Sequence, residues 1–293
     1  MPERRTDLAC EARELWRERT GALTEVPGVR ARTYRREGFA AERVEILNAE
    51  GAAALGRGEG TYVSLSLAPA VRREPGSFPR AVHAVARELR PLLPPGEGCV
   101  LVACLGNRAV TPDAVGPCTA RSLLVTRHLT GEAGPLSALR PVAVFSPGVL
   151  AESGVESAAL VRAAVRAAGA QCVLAVDALA SRALDRVCTC VELTDTGIRP
   201  GSGVGNSRAE LSRATLGVPV IAVGAPTVVD AATLCADLTG DLPADRESSL
   251  SGVFVTPREI DSRVEELGRI LGWGITLALQ SVLTFEELAA LLA

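Results

Sequence analysis

The sequence predicts an α/β protein with a mainly parallel sheet flanked by helices. Three observations lead there. From about residue 98 onward, short β-branched apolar runs alternate with helical stretches, the pattern of strand–helix–strand crossovers. The runs are apolar along most of their length, as strands covered on both faces are, instead of at every second residue. A chain of 293 residues can bury one substantial core, so residues 8–293 read as a single domain.

Residues 8–97 form its less regular N-terminal part, with a helix over 8–20, a strand TYVSLSL over 61–67 and a helix over 79–91, all packing on the sheet. Residues 98–238 carry the core strands CVLVACL, PVAVF, CVLAV, VCTCVEL and PVIAVGAP, with helices over 152–168 and from near Ser207. The polar stretch 239–251, punctuated by Gly and Pro, reads as a loop. Residues 252–293 hold two helices, opened by the capping boxes Thr256-Pro-Arg-Glu259 and Thr284-Phe-Glu-Glu287. In the first, Ile260, Val264, Leu267 and Leu271 make one apolar stripe.

Composition narrows the chemistry. All 31 cationic residues are arginine, which removes Schiff-base catalysis, Ser-Lys dyads and a P-loop lysine. The two histidines, His83 and His128, leave little room for histidine catalysis. A net charge of -3 points to no nucleic-acid partner. The N-terminus has no apolar core of a signal peptide, and the longest clean apolar run, Cys99 to Leu105, is too short to span a bilayer, so a cytoplasmic protein without a membrane partner is expected. The eight cysteines form no CxxC pair and read as reduced core thiols.

The stretch TDTGIRPGSGVGN, residues 194–206, carries two apparent signals. Asp195-Thr196-Gly197 matches the aspartic-protease triplet, but a pepsin-like site needs two such loops from two all-β halves, and the chain has one. Gly201, Gly203 and Gly205 are spaced G-x-G-x-G, which is not the dinucleotide fingerprint. A loop with several left-handed positions, able to lie over a cleft, is the simpler reading.

Ligands bind beyond the carboxyl ends of the strands in open parallel sheets, so acidic residues following apolar runs merit attention. Asp113 follows CVLVACLGNRAV in Thr111-Pro112-Asp113, which reads as a helix cap and the first two helical positions. Asp177 directly follows CVLAV and is expected to precede a short helix. Each also suits the first turn of a helix on electrostatic grounds alone. Brought together on one water, the two could act as acid and base.

The segments GNRAVTPDAVGP, VTRHL, PGVLAESGVES, AVDALASRALDRV, LTDTGIRPGSGVGNSR and LGVPVIAVGAPTVVDA closely resemble the germination proteases of spore-forming bacteria. The resemblance implies an endopeptidase of the spore-core cytoplasm that begins degradation of small acid-soluble spore proteins at germination. It implies an aspartic-type peptidase unrelated to pepsin, tetrameric, on a fold similar to hydrogenase-maturation peptidases; an acid pair of this kind requires no cofactor or metal. The family aspartates fall on Asp113 and Asp177, and Asp195, Gly201, Gly203 and Gly205 fall in a loop bordering the site. Arg5-Thr6-Asp7-Leu8-Ala9 resembles a family self-processing site, so residues 1–7 are expected to be a short propeptide released by cutting between Asp7 and Leu8. Thr6 and Asp7 suit equally well as caps of the helix over 8–20.

The chain departs from the family pattern in three places. Only MPER precedes the processing motif, the 239–251 segment is short, and Arg108 and Ala109 stand where Trp and Asn are common. Two other readings stay open. A divalent ion could activate the water, with His128 as a ligand, although a continuous helix would put it about 22 Å from Asp113. His83, on an amphipathic helix, suits packing better than ligation. The chain could also be a non-catalytic copy on a peptidase scaffold.

Overall fold

A computed structural model describes residues 4–21, 24–130, 138–201, 208–240, 249–250 and 252–292. The strands are β1 (Val29–Arg36), β2 (Phe39–Ile46), β3 (Gly60–Ser66), β4 (Val100–Leu105), β5 (Val142–Gly148), β6 (Cys172–Ser181), β7 (Cys190–Thr194), β8 (Val220–Asp230) and β9 (Phe254–Val255). They form one sheet in the order β1-β2-β3-β7-β8-β6-β4-β5, with β9 beside the end of β8. β8, β6, β4 and β5 are parallel, as expected of the apolar runs CVLVACL, PVAVF, CVLAV and PVIAVGAP, whereas VCTCVEL, β7, is not. β1, β2, β3 and β7 extend it as an antiparallel half, with β7 antiparallel to β8.

The helices are α1 (Ala9–Thr20), α2 (Ala49–Leu55), α3 (Ser77–Leu89), α4 (Val115–Ala120), α5 (Ser157–Ala168), α6 (Ala231–Thr239), α7 (Ile260–Leu279) and α8 (Phe285–Leu292). On one face of the sheet α3, α4 and α7 bury Val82, Val115, Leu267 and Leu271 against Val102, Leu174 and Val223. α5 covers the other face, placing Val161 and Val165 over Leu101, Ala103 and Val173. Leu8, Cys10, Val44, Ile46 and Tyr62 make a third cluster where α1 meets the antiparallel half. The central strands are apolar throughout because both their faces are covered.

Several local expectations are corrected. The β1–β2 hairpin has no counterpart in the sequence reading, because Arg30, Arg32, Arg35 and Arg36 hide the strand pattern. Arg36 pairs with Phe39 across a two-residue turn, with Glu37 at φ 51° and Gly38 at φ 85°, the left-handed geometry such hairpins use. The helix predicted over 152–168 breaks at Gly154, leaving one turn at Leu150–Ser153 before α5. The helix predicted from near Ser207 is a single turn, Arg213–Leu216, because Leu211 is held in a bridge to Ile198. Thr256 does not cap α7: its hydroxyl donates to the Thr227 carbonyl at 2.9 Å, and the helix starts at Ile260. The second capping box does form, with Glu287 N–H donating to Thr284 Oγ1 and Thr284 N–H to the Glu287 carboxylate.

Among the described residues no helix is long and apolar enough to cross a membrane. All eight cysteines are free, and six of them are buried. Burial pushes the Cys104 thiol up to about 12.

Candidate active site

The first carboxylate is positioned by the end of β4. After Leu105 the chain turns at Gly106, whose φ of 107° is open to glycine. A Cβ there would stand 2.0 Å from the Asp113 carbonyl oxygen, so the turn packs onto the strand end only because that side chain is missing. Thr111–Asp113 forms a 3-10 turn ahead of α4, with Val110 as its cap, which corrects the predicted reading of Thr111 as the helix cap. The Asn107 N–H donates to Asp113 Oδ2 at 2.8 Å. Asp113 is half-buried, and burial raises its pKa against the pull of that N–H, with the Glu152 charge raising it further.

The second carboxylate sits on β6. Pairing with β4 stops at Val176, opposite Cys104, so Asp177 is the first residue of β6 beyond its parallel neighbour. β6 itself continues to Ser181 along β8, and the short helix expected after Asp177 is not there. Asp177 is 5% exposed, and its Oδ1 accepts from the Ala178 N–H at 3.0 Å. Burial holds its pKa well above the usual carboxylate range, and the charge of Asp113 adds to the rise. Asp177 thus stands in β6 just past the end of β4, and Asp113 in the turn that follows β4.

Across β8 lies a carboxyl that the sequence reading missed. Asp177 and Glu192 are both register partners of Gly224, one on each side, and paired residues project to the same face of a sheet. Leu179 folds over Gly224, where an added Cβ would stand 2.4 Å from Leu179 Cδ1. Next to them opens a cavity of about 480 Å³ lined by Asp7, Arg57, Tyr62, Leu179, Glu192 and Gly224, with Thr194, Thr196 and Arg199 at its side. Glu192 is buried and accepts from the Ala9 N–H at 2.9 Å and from Ser64 Oγ at 3.1 Å. Burial pushes its pKa up to about 7. The signal was present: a lone carboxyl in the apolar run VCTCVEL.

Asp195 is not part of this group. Its Oδ1 accepts from the Thr61 N–H at 2.8 Å, tying the start of β3 to the end of β7. Gly201 has a left-handed φ of 73°, whereas Gly203 and Gly205 lie outside the described residues.

The N-terminal motif lies along the far end of β6. Asp7 N–H donates to the Ala180 carbonyl at 2.9 Å, and Ala180 N–H donates to Asp7 Oδ2 at 2.8 Å. Arg57 donates to the Thr6 carbonyl, and Leu8 is fully buried. Leu8 is the cap position of α1, so Asp7 is not a helix cap: its carboxylate is committed to β6. Thr6 Oγ1 accepts from the Leu8 N–H at 3.0 Å and donates to the Glu11 carboxylate.

The histidines lie elsewhere. His83 packs against Phe285, with ring centroids 5.8 Å apart. His128 is exposed in a turn, and the continuous helix assumed between it and Asp113 does not exist, since α4 ends at Ala120. Among the described residues no three His, Cys, Asp or Glu side chains gather where they could hold a metal ion.

A mixed α/β sheet that carries Asp113 and Asp177 where β4 ends has carboxyl groups of the kind that activate water in hydrolases, while the cavity beside Glu192 is lined by neither aspartate. A family model described as germination protease matches residues 9–241. The germination protease of Caldanaerobacter subterraneus subsp. tengcongensis is 38% identical, covering 98% of each chain, and that of Clostridium tetani is 36% identical over 97% of this chain and 98% of its own. The germination protease of Bacillus velezensis is 40% identical over 80% of this chain and 65% of its own. The chain therefore belongs to the germination protease family, a family of peptidases. Among solved structures, the [NiFe] hydrogenase maturation protease HycI from Thermococcus kodakarensis KOD1 matches at a TM-score of 0.35 and 17% identity, covering 63% of this chain and 98% of that one.

Proposed function

We propose that the chain is an endopeptidase of the aspartic, non-pepsin type, in which Asp113 and Asp177 together activate water. The observation that carries this reading is placement: Asp113 sits in the turn after β4 and the buried Asp177 in β6 just past the end of β4, where the Asp113 charge adds to the rise of its pKa. Asp177, the more deeply buried, keeps the proton and donates a hydrogen bond to the scissile carbonyl oxygen. Asp113 takes a proton from water as the water oxygen bonds to the carbonyl carbon. When the C–N bond breaks, the leaving amine takes that proton back, leaving an acid and an amine as products.

By family membership and the motifs in the sequence, the substrates are small acid-soluble spore proteins, cut in the spore core at germination by a homotetramer. Thr194, Thr196 and Arg199, which precede Gly201 in the loop proposed to border the site, line the cavity beside Glu192. Residues 1–7 are a short propeptide removed between Asp7 and Leu8.

The test compares Asp113→Asn, Asp177→Asn and Asp195→Asn on cleavage of a small acid-soluble spore protein, with circular dichroism to check the fold. The first two nearly abolish cleavage and the third changes it little. Equal loss in all three with the fold intact would show that the wrong carboxylates have been assigned.

A further inference from the structure

Between Leu179 and Ala180 the β6–β8 register shifts: Leu179 pairs with Pro226 and Ala180 with Val228. Thr227 is therefore an extra residue on β8 with no partner across the ladder, a bulge in a parallel pair, where bulges are uncommon. It is 1% exposed, and its hydroxyl donates to the Pro112 carbonyl at 2.6 Å. Pro112 immediately precedes Asp113, so this bond holds the peptide plane that leads into the proposed catalytic carboxylate. The Thr227 carbonyl is held in turn by the Thr256 hydroxyl.

The turn bearing Asp113 is thus gripped from two strands. β4 holds it through the close approach at Gly106 and the Asn107 N–H. β8 holds it through Thr227, and β8 is the strand whose ladder also fixes Asp177. We propose that Thr227 is a positioning residue for proteolysis: its hydroxyl fixes the Pro112–Asp113 peptide and so sets the placement of Asp113 relative to Asp177. The proposal rests on the acid-pair reading above. Bulges beside active sites commonly re-aim a side chain, and here the re-aimed group acts through the backbone of a neighbouring turn.

The experiment is a kinetic series on the full chain with a small acid-soluble spore protein as substrate. Thr227→Val keeps the shape and removes the hydroxyl, whereas Thr227→Ser keeps the hydroxyl. The expected result for Thr227→Val is a fall in kcat of about 10²-fold, the scale of a misplacement near 1 Å, with KM little changed. Thr227→Ser restores most of kcat. The alkaline limb of the pH–kcat profile moves to lower pH in Thr227→Val, because a displaced Asp113 repels the Asp177 carboxylate less.

Unchanged kcat in Thr227→Val would overturn the proposal, as would equal loss in the Val and Ser variants. If Thr227→Val does not fold, Thr227→Cys, with a weaker donor, is measured instead, and full kcat there overturns the proposal equally. Asp113→Asn is assayed alongside. If it keeps its activity the acid-pair reading itself fails, whereas an inactive Asp113→Asn beside a fully active Thr227→Val condemns the positioning role alone.

Discussion

Glu192→Gln is a direct test of the energetics around the cavity. Glu192 is buried and takes two hydrogen bonds, from Ala9 N–H and Ser64 Oγ, too few to replace the hydration that its ionised form loses on burial. Its pKa rises from the ordinary 4.5 to about 7. At ~1.36 kcal/mol per pH unit of displacement, that is about 3 kcal/mol. The sign follows from linkage. Below about pH 4.5 the carboxyl is protonated in both folded and unfolded chains and contributes no penalty. As the pH rises toward 7 the unfolded chain releases the proton first, so the folded state loses stability, and above about pH 7 the whole penalty is present. The amide in the variant has the same shape as the carboxyl, its oxygen can still accept both bonds, and it does not titrate. Urea unfolding of both proteins between pH 4.5 and 8 reads the difference. The stability of the parent falls relative to the variant by about 3 kcal/mol across that window. Parallel curves for the two proteins would show that Glu192 does not ionise late, and the account of its burial would be wrong.

The other predictions concern the site and its control. Gly106→Ala places a methyl group at φ 107° against the Asp113 carbonyl, so it destabilises by about 1–3 kcal/mol and removes most of the activity; a fully active, equally stable variant would refute the packing argument. Purified protein held at mildly acidic pH gains a new N-terminus at Leu8 by mass spectrometry, and Asp113→Asn does not. An intact Met1 or Pro2 start in fully active enzyme rules out self-processing there. Activity survives EDTA; complete loss restored by one divalent ion would move water activation from the carboxylate pair to a metal.

The parallel half of the sheet was legible because strands covered on both faces must be apolar throughout, as Val100–Leu105 and Cys172–Val176 are. Asp113 and Asp177 could be picked out for the same reason, since each interrupts or follows such a run. In the antiparallel half TYVSLSL and VCTCVEL were legible as strands, but β1 and β2 were hidden, because β1 is an edge strand whose arginines are favoured by solvent and by the need to discourage further pairing. Local rules failed where tertiary contacts claimed the same atoms. Thr256 had the right neighbours for a cap, but the Thr227 carbonyl took its hydroxyl. Asp7 had the right chemistry for a cap, but Ala180 took its carboxylate. Glu192 could be read as a carboxyl in a strand, but the cavity beside it comes from Gly224 and the loop at Arg57, which no short window of sequence brings together.

The seat of Leu8 has an electrostatic consequence. Its N–H is now a neutral amide donating to Thr6 Oγ1, one residue from the Ala9 N–H held by Glu192. Scission before Leu8 would turn that amide into an ammonium group and release the hydroxyl it binds. A positive charge would then appear in the chain's buried interior, close to the Glu192 carboxyl, now reluctant to ionise, as a counter-ion. The cut would add a second positive charge to that of Arg57 near Glu192 and draw its pKa back down. The newly made N-terminus would be anchored by charge where its N–H now makes a hydrogen bond to Thr6 Oγ1.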